Sequence, residues 1–237
     1  MKLQIVLFKW RPPGVGFVLP SQKRGHVYGP EHVNRAHAGL KRHLRMPFET
    51  VCITDDPSGI NEDIKCLPLW DKCRYLGGCY NRLYVFSQDM KWFIGPRFAC
   101  LDLDSVIVGD VTPIFKRKED FIINSYYPGP GGNWSDQTYN GGLFMMNAGA
   151  RRRVWDEFDY ETSPETVENR ADIIGTDQAW IREVLGPSEK RFTKQDGVYE
   201  ARDFKDGLPA DARLVLFAGS RDPSRTKCKW VTEHWRD

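Results

Sequence analysis

Apolar residues in this chain fall into short continuous or alternating runs, separated by longer segments in which they recur every third or fourth position. The runs at residues 3–8, 50–53, 98–103, 105–108, 121–124, 142–146 and 213–217 read as strands. The segments 30–45, 80–90, 150–158, 164–169 and 176–185 carry helical signals. The first helix is the clearest. Pro30 suits an opening turn, and Val33, His37, Leu40 and Leu44 form one stripe while Arg35, Lys41, Arg42 and Arg45 fall elsewhere. His37 on that stripe reads as a residue at the edge of the core. Strands alternating with helices predict an α/β protein whose sheet is covered on both faces.

One strand carries an interruption. In Phe98-Ala99-Cys100-Leu101-Asp102-Leu103-Asp104-Ser105-Val106-Ile107-Val108-Gly109-Asp110, two carboxylates break an otherwise apolar stretch. Residues i and i+2 of an extended strand share a face, so Asp102 and Asp104 are expected at the end of a buried strand with carboxylates roughly 7 Å apart at most. Buried like charges need a partner, and a hard divalent cation, Mn²⁺ or Mg²⁺, is the economical one, completed by phosphate oxygens of a substrate.

Composition narrows the function classes. The 34 Lys and Arg against 32 Asp and Glu leave a net charge of +2, too small for a nucleic-acid footprint. No run approaches the roughly 18 apolar residues of a membrane span, and residues 3–8 are too short for a signal-peptide core. The six cysteines form no Cys-x-x-Cys pair, which fits free thiols in a reducing cytoplasm. Cys66, Cys73 and Cys79 match no zinc spacing, and His26, His32 and His43 have no partner at metal spacing. Arg151-Arg152-Arg153 reads as the exposed start of a helix. Without a Ser/Gly/Pro-rich linker in its 237 residues, the chain is expected to form one domain over 1–237.

Five motifs in order resemble those of the GT-A nucleotide-sugar glycosyltransferases, within them the family 8 enzymes related to glycogenin and bacterial galactosyltransferases. They are Thr54-Asp55-Asp56; Tyr80-Asn81-Arg82-Leu83; Leu101-Asp102-Leu103-Asp104 with Val108-Gly109-Asp110; Tyr139-Asn140-Gly141-Gly142; and Gly175-Thr176-Asp177-Gln178. The resemblance runs from about residue 3 to 223. It implies a GT-A-like domain with a mixed, mostly parallel central sheet. It also implies transfer of a sugar from a nucleotide-sugar donor, in the first instance a UDP-sugar, to a saccharide or other hydroxyl acceptor.

The resemblance also implies roles. Asp102 and Asp104 would hold the metal, which neutralises the leaving diphosphate, and Arg82 would contact the donor and the acidic strand. Asn140 and Gly141 would allow close approach of the backbone and serve sugar hydroxyls. Asp177 would bind sugar or acceptor hydroxyls, with Gln178 facing the anomeric carbon. The motif Leu216-Phe217-Ala218-Gly219-Ser220-Arg221-Asp222-Pro223 departs from the family. Gly219 and Pro223 are present, but the metal-binding His and the Lys are not, and Arg221 is the candidate to replace the lost positive charge on the diphosphate. The family retains configuration at the anomeric carbon; with this motif altered the stereochemistry stays open.

Local sequence alone leaves plainer readings for the same residues. Arg82 could be an exposed helix arginine, Gly141-Gly142 a plain turn, and Thr176 a helix N-cap with Asp177 favouring the positive helix end. The segment 126–134, rich in Gly, Pro and aromatic residues, is a candidate acceptor loop. Two rivals remain in other classes: a binding protein of the same fold without turnover, and a haloacid-dehalogenase-like phosphatase with Asp102 as nucleophile. The second lacks the later Asp-Asp pair that such enzymes use for Mg²⁺.

Overall fold

The computed structural model describes residues 2–11, 28–73, 76–126, 139–168, 176–204, 207–217 and 221–237. Seven strands form the main sheet: β1 (Leu3–Lys9), β2 (Phe48–Thr54), β3 (Lys65–Pro68), β4 (Arg97–Leu101), β6 (Phe121–Ser125), β7 (Tyr139–Asn147) and β8 (Arg191–Phe192). Their order is β3-β2-β1-β4-β7-β6-β8, and β7 alone opposes its neighbours β4 and β6. A second sheet of three strands joins β5 (Ser105–Ile107), β10 (Leu214–Leu216) and β9 (Val198–Glu200) in the order β5-β10-β9.

The alternation of side chains sorts the core into layers. Val6, Phe8, Phe98 and Cys100 face one side, where they meet Leu83, Phe86 and Ile181; Ile5, Leu7, Ala99 and Leu101 face the other, against Val33, Ala36 and Leu40. The second layer is covered by α1 (Pro30–His43), whose predicted apolar stripe supplies its buried face. It ends at His43, two residues before the end expected from the sequence, where Leu44 turns extended at φ −105°. A third cluster, including Val106, Val108, Val215, Phe217, Val231 and Trp235, packs the small sheet against the C-terminal segment.

Three expectations need correction. Residues 80–90 are not one α-helix: Tyr80–Phe86 is a 3₁₀ helix with every residue buried, followed by the one-turn α2 (Met90–Phe93). Extended Ser87 breaks the run, its hydroxyl accepting the Asp89 N–H at 3.2 Å. The expected helix 150–158 contracts to α4 (Arg153–Asp156), after α3 (Thr112–Phe115). Arg151 is not simply exposed, because it pairs with Glu189 at 2.6 Å and Asp120 at 2.9 Å. The remaining helices are α5 (Ser163–Glu168), α6 (Asp177–Leu185) and α7 (Lys229–His234).

All six cysteines are free. Cys66 packs on the α1 side of the main sheet and Cys73 in the opposite layer, so they do not share a site. Among the described residues no helix is long and apolar enough to cross a membrane.

Candidate active site

Asp102 and Asp104 do not lie within a strand. β4 ends at Leu101, and Leu103-Asp104 form a turn before β5 begins at Ser105. Because β4 belongs to the main sheet and β5 to the small one, the turn is where the chain passes between sheets. Backbone bonds fix it from both sides. The Asp102 N–H donates to Gly142 O at 2.9 Å, and Phe217 N–H donates to Asp104 O at 3.1 Å.

Arg82 binds this turn to the start of α6. Its guanidinium donates to Asp102 Oδ1 through Nη1, and to Asp177 Oδ2 through Nη2 and, at 3.0 Å, through Nε. Arg82 and Asp177 are buried, whereas the Asp102 side chain is 34% exposed, so the site opens at Asp102. The planar guanidinium suits this arrangement because its donors are fixed in a fork. Despite burial, the two carboxylates hold Arg82 well above its usual pKa.

Around the bridge the expected residues converge. Gly141 N–H donates to Gln178 Oε1 at 3.0 Å, and a Cβ at Gly141 would come within 2.9 Å of Arg82 Nη2. Close approach is therefore a packing requirement at this glycine. At Gly142 an added Cβ would stand 2.9 Å from Asn140 Oδ1 and 3.2 Å from Asp102 Oδ2, so the backbone approaches the acidic turn closely here too. Asn140 is less available for sugar hydroxyls than expected. Its Oδ1 accepts the Gly142 N–H at 2.7 Å and its Nδ2 donates to Glu200 Oε1 at 3.0 Å. Thr176 does not cap α6 with its side chain; its Oγ1 accepts the Cys79 N–H at 3.1 Å.

Tyr28, Glu200 and the pair His32 and Asp222 were not picked out as site residues by sequence reasoning. Tyr28 donates its hydroxyl to Asp104 Oδ2 at 2.9 Å. Buried Glu200 lies behind Asn140 and forms an ion pair with Arg202 at 2.5 Å. His32 Nε2 lies 3.3 Å from Asp222 Oδ1, while its Nδ1 accepts the Gly29 N–H at 3.2 Å. Tyr28, Glu200 and His32 sit 76, 60 and 190 positions from Asp104, Asn140 and Asp222, so no local spacing marks them. Gly219 lies outside the described residues, as do Gly175 and most of the acceptor-loop segment; of 126–134 only Tyr126 is described, with the Arg202 guanidinium 4.8 Å over its ring. Arg221 is exposed next to Asp222 in sequence.

Electrostatics at the turn favours a positive guest. Burial, then the Asp102 charge, push the Asp104 carboxyl well above its ordinary range, and burial also raises Asp102 against the pull of Arg82. Among the described residues Asp102 Oδ2 takes no hydrogen bond. Two carboxylates at a turn that is exposed on the Asp102 side could hold a hard divalent cation that keeps water or phosphate oxygens as its other ligands. No group of three or more His, Cys, Asp or Glu among the described residues is arranged for a metal.

No protein-family model matches the chain, and no curated protein does. Solved structures do. The galactosyltransferase LgtC, in complex with donor and acceptor sugar analogues, superposes with a TM-score of 0.63 at 12% identity, over 98% of this chain and 94% of that one. An active-site glutamine-to-glutamate mutant of LgtC gives 0.61 at 13% identity over the same shares. The chain has the fold of these glycosyltransferases. It also matches the glycosyltransferase GlyE of Streptococcus pneumoniae in its apo form, with a TM-score of 0.59 at 12% identity, over 96% of this chain and 57% of GlyE. The main sheet with its single opposed strand agrees with the GT-A expectation, and the phosphatase reading has no support from this fold.

Proposed function

We propose that the chain is a metal-dependent glycosyltransferase that moves a sugar from a nucleotide-sugar donor, a UDP-sugar in the first instance, to a hydroxyl acceptor. The observation that carries this reading is the Arg82 bridge. It draws the acidic turn, the start of α6 and the glycine pair of β7 to one opening, three of the five motifs that sequence alone could only place in order. Glycosyltransferases of the same fold support it, and LgtC has a glutamine in its active site, as Gln178 would be here.

In this reading Asp102 and Asp104 hold Mn²⁺ or Mg²⁺, which when bound supplies Lewis-acid stabilisation of the departing nucleoside diphosphate. Arg82 orients Asp102 through the bond to its Oδ1. Asp177, saturated on one oxygen by Arg82, meets the Thr176 hydroxyl at 3.5 Å with the other and would have to exchange that contact for a sugar hydroxyl, and Gln178 stands beside Gly141 where the donor sugar would rest. Asn140 acts mainly through the backbone turn it stabilises.

A second reading, a nucleotide-sugar-binding protein without turnover, is favoured by one observation: the described residues supply no third side-chain ligand beside the acidic pair. Thermal-shift screening of nucleotide sugars with and without Mn²⁺, followed by chromatography of the donor, separates the two. Metal-dependent stabilisation with release of free UDP supports the enzyme. Stabilisation with an intact donor supports the binding protein, and no shift with any nucleotide sugar overturns both.

A further inference from the structure

We propose that Tyr28 is a positioning residue for the acidic turn: its hydroxyl fixes the Asp104 carboxylate so that one oxygen is held by the protein and the other is presented to the cation. This inference rests on the metal-dependent reading above and names the residue that gives one of its two ligands a defined direction.

The geometry has three parts. First, Asp104 is nearly buried at 9% exposure, and the Tyr28 hydroxyl donates to its Oδ2 at 2.9 Å. Arg82 takes Asp102 but makes no hydrogen bond to Asp104 among the described residues, so the two carboxylates are oriented by different elements. Second, the tyrosine is itself held. Its ring meets the edge of the His32 ring with centroids 4.9 Å apart, and His32 in turn packs against Trp235 at 5.2 Å, with Arg35 over Trp235 at 4.3 Å.

Third, His32 is fixed at both nitrogens. Nδ1 lies 3.2 Å from the Gly29 nitrogen and 3.1 Å from Glu31 Oε1, and Nε2 lies 3.3 Å from Asp222 Oδ1, a carboxylate oxygen that also accepts the Ser224 N–H at 2.7 Å. Tyr28 therefore reaches the turn from a packed corner made by the start of α1 and the C-terminal segment. A carboxylate with a free rotor would sample several directions, and a cation bound by only two side chains depends strongly on each one's orientation. Removing a hydrogen bond that orients a metal ligand typically weakens metal binding about 10–100-fold.

The test uses Tyr28→Phe, which removes only the hydroxyl and keeps the ring on His32. Mn²⁺ binding is titrated by electron paramagnetic resonance in the presence of UDP, with Asp104→Asn alongside and the melting temperature recorded for each protein. The expected result is a loss of about tenfold or more in Mn²⁺ affinity, with a changed line shape for the residual bound ion and a near-native melting temperature. Because a purely structural role would not alter the spectrum of the bound ion, line shape keeps the proposal testable if the variant melts early. Wild-type affinity and line shape in Tyr28→Phe, with Asp104→Asn defective, would overturn the role of Tyr28 and leave the metal reading standing. Absence of UDP-dependent Mn²⁺ binding in the wild type would overturn both.

Discussion

The Gln178 side-chain oxygen accepts the backbone N–H of Gly141 at 3.0 Å, which ties the first turn of α6 to strand β7. The contact places a side chain proposed to face the donor against a backbone that has no Cβ to keep it away. Gly141→Ala should drive a methyl into Arg82 Nη2 and Asp177 Oδ2, which lie 2.9 and 3.1 Å from that position. Overpacking of this kind costs about 1–3 kcal/mol. Urea unfolding should show the loss and calorimetry a weaker donor; an alanine variant with native stability and affinity would contradict the close approach.

Arg82 sits between two acids, so its removal should damage the fold as well as the site. Arg82→Ala leaves Asp177 buried without its partner, and breaking a buried pair from one side costs about 3–5 kcal/mol. Arg82→Lys keeps one charge but cannot span both carboxylates, and donor affinity should fall about tenfold or more. Unfolding curves and donor titrations of both variants check the two effects separately. Native stability in Arg82→Ala would show that the bridge contributes little.

Metal and nucleotide should bind with positive coupling, because two carboxylates alone leave most of an octahedral ion's positions to water until diphosphate oxygens arrive. By linkage each raises the affinity of the other by the same factor. Titrating Mn²⁺ with and without UDP, and UDP with and without Mn²⁺, should return equal factors. Asp102→Asn should abolish the coupling. Tight Mn²⁺ binding to the nucleotide-free protein would mean that further side chains complete the site.

Glu119 gives a defined acid sensitivity away from the site. Its hydrogen bonds with Arg117, the closest at 2.6 Å, lower its pKa from 4.5 to about 2. The folded-state value is depressed, so the stabilisation is present above the ordinary value of 4.5 and is lost as pH falls toward 2. Glu119→Gln should flatten that part of the stability curve, measured as urea midpoints at pH 5 and pH 2.5. An unchanged slope would assign the acid loss to other groups.

Thiol chemistry should separate the cysteines by position. Burial pushes the Cys52 thiol up to about 12, and the side chain is fully shielded in the core, whereas Cys228 is exposed. Brief alkylation of the native protein at pH 8 should modify Cys228 and spare Cys52, as read by peptide mass spectrometry. Equal labelling would show that the β2 core opens readily.

The strands that build the main layers were legible because their apolar pattern survives in sequence: the continuous run Ile5-Val6-Leu7-Phe8 announces a strand buried on both faces. The helix of Val33 and Leu40 was legible for the same reason, with period changed. The acidic pair stood out because charge interrupts apolar residues, yet its place in a turn did not, since Leu103 and Val106 continue the apolar pattern into a different sheet. Residues 80–90 misled because Tyr80–Phe86 is buried on every side, Asn81 and Arg82 included, and has no exposed face by which to judge its pitch. Tyr28 and Glu200 acquire their significance only from partners distant in the chain.

The passage of the chain from one sheet to the other at Asp102-Leu103-Asp104 has a mechanical consequence. A guest gripped by both carboxylates would act as a rivet between two rafts of strands, restraining their relative rocking. Amide protons of Val215 and Leu216 in β10, which is joined to the turn through β5 and the Phe217 bond to Asp104, would then exchange with solvent more slowly once the guest is seated. A small molecule at the mouth of the protein would thus be felt as stiffness in the sheet behind it.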